Sequence, residues 1–93
     1  MADVIARQFL VRGRVQGVGF RWHTADAAIH AGATGWVRNL PDGRVEVLVE
    51  GAQEAVRAVE DAVRRGPAGA RVTHVQTVPV SVSGTYDSFQ VIR

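Results

Sequence analysis

Apolar and polar residues alternate near the start of the chain. In ARQFLVRGRV (residues 6–15), Phe9 and Val11 fall on one side and Arg12 and Arg14 on the other, a period of two that predicts a strand. The period then lengthens. In RWHTADAAIHAG (21–32), Ala25, Ala28, Ile29 and Gly32 recur at helical spacing, which predicts a helix with these residues on one side, stopping at Gly32. GWVRNL (35–40) reads as a strand again, and RVEVLVEG (44–51) as a second one with Val45, Val47 and Val49 opposite Glu46, Leu48 and Glu50. Between them Pro41 presets φ and Gly43 tolerates positive φ, so the pair is a hairpin. AQEAVRAVEDAVRRG (52–66) is the clearest helix, with Ala55, Val56, Val59 and Val63 on one stripe and Arg57, Glu60, Asp61 and Arg64 opposite. Glu54 near its start and Arg64 and Arg65 at its finish suit the helix dipole, and Gly66-Pro67 ends it. A β-branched run, RVTHVQTVPVSV (71–82), a polar turn and the short strand SFQVIR (88–93) complete the order. The order β-α-β-β-α-β plus one strand predicts an α+β, ferredoxin-like (split βαβ) sandwich. Its sheet is mainly antiparallel, with two helices on one face and an extra short C-terminal strand.

The totals narrow the function classes. At 93 residues the expectation is a single domain over 1–93. The absence of cysteine excludes disulfides, thiolate chemistry and Cys-based zinc sites. No apolar run reaches bilayer length, and MADVIARQFL lacks the apolar stretch of a signal peptide; a cytoplasmic protein with no membrane partner is expected. The pI near 10.4 accompanies a formal net charge of only +2. Every basic side chain is arginine, which keeps its proton, so a small excess lifts the pI. The arginines are scattered, whereas a polyanion footprint is dense, so nucleic acid is not expected as a partner. A monomer is expected for so small a mixed surface.

One stretch departs from ordinary patterning. GRVQGVGFR, from Gly13 to Arg21, sets three glycines before an arginine at the strand-to-helix junction. Consecutive backbone N–H groups in such a loop can form a concave nest for an anion, and the helix start behind it adds unpaired N–H groups and partial positive charge. A guanidinium at Arg21 can grip two oxygens of a phosphate or carboxylate. The dinucleotide fingerprint fails for want of its third glycine and acidic partner, and the phosphate-loop motif of nucleotide hydrolases fails for want of lysine. A tight strand-to-helix turn explains the glycines equally well from pattern alone. Asn39, at the end of the GWVRN strand, offers an acceptor and a donor with which to hold a water, or it caps its own turn. Which reading applies depends on whether Asn39 lies beside Arg21, and the topology does not guarantee that. His23 is an acid or an exposed helix residue, the latter being the favoured reading; Asp26 and His30 suit a solvated i,i+4 pair; His74 suits a structural role in its strand. No ligand cluster with metal spacing is present.

GRVQGVGFR, followed at these spacings by GWVRN and DGRVEV and by the ending SFQVIR, closely resembles the acylphosphatase family. The resemblance implies a ferredoxin-like fold and hydrolysis of a carboxyl–phosphate anhydride, an acyl phosphate, to a carboxylate and inorganic phosphate, with no metal and no cofactor. It places the family's phosphate-binding arginine on Arg21 and its water-positioning asparagine on Asn39. The anion loop falls on the backbone N–H groups of Val15, Gln16, Gly17, Val18, Gly19 and Phe20. Leu40 stands where some relatives carry a hydroxyl residue, so no hydroxyl role is carried over there. No pocket for a particular acyl group is legible. Two other functions share the plan: a non-catalytic anion-binding or regulatory module, and an RNA-recognition module, whose aromatic signature is missing here.

Overall fold

The computed structural model describes residues 3–93; Met1 and Ala2, the first two residues of the expected domain, lie outside the described residues. Along the chain run β1 (Val4–Arg14), α1 (Phe20–Ala31), β2 (Thr34–Asn39), β3 (Val45–Ala52), α2 (Gln53–Arg65), β4 (Arg71–Val80) and β5 (Phe89–Ile92). The strands form one sheet in the order β4-β1-β3-β2-β5. Neighbours are antiparallel except β2 and β5, which pair in parallel. Each helix carries the chain across one intervening strand: α1 spans from β1 over β3 to β2, and α2 from β3 over β1 to β4. This is the expected ferredoxin-like split βαβ arrangement, with β5 as the additional strand.

The period-two faces of the strands build the core. Val37, Val47 and Phe9 lie in one row across three strands, with Val45 and Val11 paired in the next, and all five are fully buried beneath the helices. Each such side chain contributes about 1.5–3 kcal/mol by leaving water. From above, α2 supplies Val56, Val59, Ala62 and Val63 and α1 supplies Phe20, Thr24, Ala25 and Ala28.

Tertiary packing adds three features that the patterning leaves open. Ile29 is not buried but 63% exposed. The core face of α1 is set by the large Phe20 ring, which turns Ile29 toward the sheet edge. Glu46 and Glu50 do not form a solvated face of β3: the strand is flanked on both sides, and both residues are buried. Glu46 accepts from Gln8 Nε2 at 2.5 Å and Arg38 Nε at 2.6 Å, while the Arg38 guanidinium lies 5.0 Å from the centre of the Trp36 ring. Glu50 accepts from Ser83 N (2.8 Å), Ser83 Oγ (2.9 Å) and Gly84 N (3.2 Å), so the polar segment after β4 is drawn back onto the open face of the sheet. His74, finally, is exposed on β4, at one edge of the sheet, rather than packed within it.

Candidate active site

Strand direction decides what meets the glycine loop. Both β1 and β2 run antiparallel to β3, so they run parallel to each other and end on the same side of the sheet. The end of the ladder reads Val11–Val45–Asn39 across β1, β3 and β2. Two inter-strand spacings, roughly 9.5 Å, separate the outer strands, and β3 begins at Val45, leaving the loop free to cross above it. The loop is pinned where it leaves and rejoins regular structure, because Val15 and Phe20 are buried in the core and Val18 packs against it. Its middle is tied to the hairpin by the Gln16 side chain, whose Nε2 donates to Leu40 O at 2.8 Å and Arg44 O at 3.0 Å.

The glycines divide into two roles. Gly13 belongs to the sheet: the register shifts between Arg12 and Gly13, and an added Cβ would stand 2.0 Å from Arg71 O. Gly17 and Gly19 belong to the loop. Their φ angles are 76° and 78°, and an added Cβ at either would meet nothing within 4 Å; backbone conformation, not crowding, demands glycine there. Gly19 is also the N-cap of α1, with no side-chain cap and no acidic residue in the first turn. Among the described residues, no backbone N–H from Gln16 to Trp22 donates to another backbone group. The loop and helix start therefore present a run of uncommitted donors with the positive end of a helix dipole behind them.

A cavity of about 160 Å³ is lined by Val15, Gly17, Gly19, Phe20, Arg21, Trp22 and Asn39. It contains a single formal charge, the Arg21 guanidinium, and no carboxylate. Arg21 Nη1 has a long contact of 3.5 Å to Ile92 O, so most of its donors are uncommitted. Asn39 Oδ1 is buried and has no hydrogen-bond partner among the described residues. Asn39 thus does not cap its turn. The hairpin closes instead through Leu40 N to Arg44 O (2.8 Å) and Gly43 N to Leu40 O (3.1 Å). Asp42 accepts from Arg44 N at 3.1 Å and Arg44 Nε at 2.8 Å, and the backbone bond above all holds its carboxyl below the ordinary range. A buried acceptor left unpaired costs about 1–3 kcal/mol, and such an atom calls for a functional explanation.

The structure thus brings Arg21, Asn39, Val15, Gly17, Gly19 and Phe20 to one cavity and sets Gln16 and Val18 beside it. The other titratable candidates lie elsewhere. His23 is half-buried rather than exposed. Its Nε2 donates to Ala62 O at 2.9 Å, tying α1 to α2. Asp26 and His30 form the expected solvated pair at 3.5 Å. Among the described residues no three His, Cys, Asp or Glu side chains converge as a metal site would require. Two participants had not been foreseen: the side chain of Gln16, assigned only as a backbone donor, and Trp22 in the cavity wall. The apolar spacing of Val15, Val18 and Phe20 was the available signal that the loop is anchored and points its other residues outward.

The acylphosphatase family model matches residues 7–91. An acylphosphatase of Methylococcus capsulatus is 51% identical over 84 residues, covering 90% of this chain and 91% of that protein. One from Anaeromyxobacter dehalogenans is 46% identical over 91 residues, covering 98% of each. The crystal structure of acylphosphatase from Bacillus subtilis superimposes with a TM-score of 0.91 at 33% identity, covering 98% of this chain and 100% of that one. With the family model spanning residues 7–91 and relatives aligned over about nine-tenths or more of both chains, the chain belongs to the acylphosphatase family.

Proposed function

We propose that Arg21, Asn39 and the amides of residues 15–20 carry out the reaction that family membership assigns to this chain, the hydrolysis of acyl phosphates to a carboxylate and inorganic phosphate. The observation that carries this reading is the buried, unpaired Oδ1 of Asn39 in the wall of a cavity whose one charge is the Arg21 guanidinium. An anion held by Arg21 and the loop amides brings its phosphorus to that cavity, and Oδ1 is the acceptor available for a proton of the attacking water. That hydrogen bond orients a water lone pair at phosphorus, a contribution of positioning. The guanidinium and N–H groups bind the non-bridging oxygens and stabilise the charge redistributed in the transition state. The P–O bond to the acyl group breaks as the new P–O bond forms, and the electron pair leaves on a carboxylate. Carboxylic acids have pKa values near ~4, so departure needs no general acid. The water's proton passes to a phosphate oxygen, since no other base lines the cavity.

The chain acts in this reading as a single cytoplasmic domain and a monomer, with acyl phosphate as substrate and neither metal nor cofactor. Nucleic acid is not a partner in it, because the arginines are scattered along the chain rather than gathered into a dense footprint. The non-catalytic alternative is not favoured. The test is turnover of benzoyl phosphate in EDTA by the parent and by Arg21→Lys. The parent is expected to turn over. The lysine variant, whose ammonium lacks the planar fork, is expected to lose at least ~10²-fold in kcat/KM and most of its inhibition by phosphate. Retained phosphate inhibition would remove Arg21 from its role, and a parent silenced by EDTA would overturn metal independence.

A further inference from the structure

α1 carries a second row besides its core face. Trp22, Ala25, Asp26 and Ile29 face Phe89 and Val91 of β5 across a groove of about 490 Å³. Trp22 is 61% and Ile29 63% exposed; single exposed apolar residues are ordinary, but these two stand seven positions apart on one helix face and wall one groove. Trp22 also lines the cavity that holds Arg21 and Asn39, so cavity and groove share this residue. An acyl phosphate whose phosphoryl group binds Arg21 needs room for its acyl group beside a cavity of only about 160 Å³, and the groove is the apolar surface that shares a wall residue with it.

We propose that the groove between α1 and β5 is the acyl-group subsite, and that the enzyme favours acyl phosphates with an uncharged apolar body, aryl or medium-length alkyl, over acetyl phosphate. This rests on the reading of Arg21 and Asn39 as the hydrolytic site. From Trp22 to Ile29 the helix rises about 10 Å, so a short acyl group reaches only the indole while a longer one runs on toward Ile29. Asp26 on the rim disfavours an acyl group ending in a second carboxylate. Ile29 lines the groove and not the cavity, which makes it the position to test.

The experiment compares kcat/KM for acetyl, butyryl, hexanoyl and succinyl phosphate, whose carboxylates are similar as leaving groups, in the parent and in Ile29→Asp and Ile29→Ala. The parent is expected to prefer hexanoyl over acetyl phosphate by about tenfold and to use succinyl phosphate least. Ile29→Asp is expected to cut the hexanoyl value about fivefold or more and Ile29→Ala less, both leaving acetyl phosphate unchanged. Equal values across the alkyl series in the parent, or loss on acetyl phosphate equal to that on hexanoyl phosphate in both variants, would overturn the groove assignment while leaving the hydrolytic site intact. Failure of the parent to hydrolyse any of the four would overturn both.

Discussion

Replacing Asn39 by alanine separates activity from stability. Oδ1 makes no hydrogen bond within the described residues, so alanine breaks no internal bond and forfeits only the packing of a small polar side chain at a cavity wall, on the order of ~1 kcal/mol. For a chain of this length 1 kcal/mol moves Tm by roughly 4–8 °C, so Tm is expected to fall by no more than roughly 8 °C. The water then has no protein acceptor, and removal of one such preorganised contact lowers kcat by about 10²–10³-fold. In the proposed site phosphate is held by Arg21 and the loop amides rather than by Asn39, so it should inhibit within about twofold of the parent. The assay is continuous hydrolysis of benzoyl phosphate with phosphate as inhibitor, alongside a thermal melt followed by circular dichroism. Turnover within tenfold of the parent would refute the role of Asn39. A larger fall in Tm accompanied by lost phosphate inhibition would show instead that Asn39 holds the loop in shape.

Two further substitutions address the scaffold. Gln16→Ala breaks the bonds to Leu40 O and Arg44 O, each worth about 1 kcal/mol. Loop and hairpin then lose their common tie, and kcat/KM is expected to drop about tenfold, mostly through KM, with Tm lowered; unchanged kinetics would remove Gln16 from any positioning role. Ser83→Ala tests Glu50. Burial pushes the Glu50 carboxyl up, but the bonds from Ser83 N, Ser83 Oγ and Gly84 N outweigh it and hold the pKa below the ordinary 4.5. A lowered folded pKa adds stability that is present above the unfolded value and lost as pH falls through the folded one. The variant should therefore be less stable at pH 7 by about 1 kcal/mol, with the gap closing at acid pH. A urea titration at both pH values checks this, and a gap that widens in acid would refute it.

Much of this protein was legible along its sequence, and the limits have physical causes. Strand and helix periods, the Pro41–Gly43 turn and the Gly32 and Gly66 stops are local signals, so the element order and the ferredoxin-like plan followed from them. Gly17, Gly19 and Arg21 stood out as a candidate anion loop because conformational freedom beside a fixed charge is also local. Gly13 looked the same in sequence, yet the approach of Arg71 O from β4 gives it a different purpose. Buried Glu46 and Glu50 could not be told from surface carboxylates, since their donors come from Gln8, Arg38, Ser83 and Gly84, distant in the chain. The two apolar rows of α1 share Ala25, which blurred the helical period and left the burial of Ile29 open until the Phe20 ring set the rotation of the helix. The meeting of Arg21 with Asn39 is likewise a tertiary fact. It follows from β1 and β2 running the same way on either side of β3, and no residue-by-residue signal encodes strand direction across a sheet.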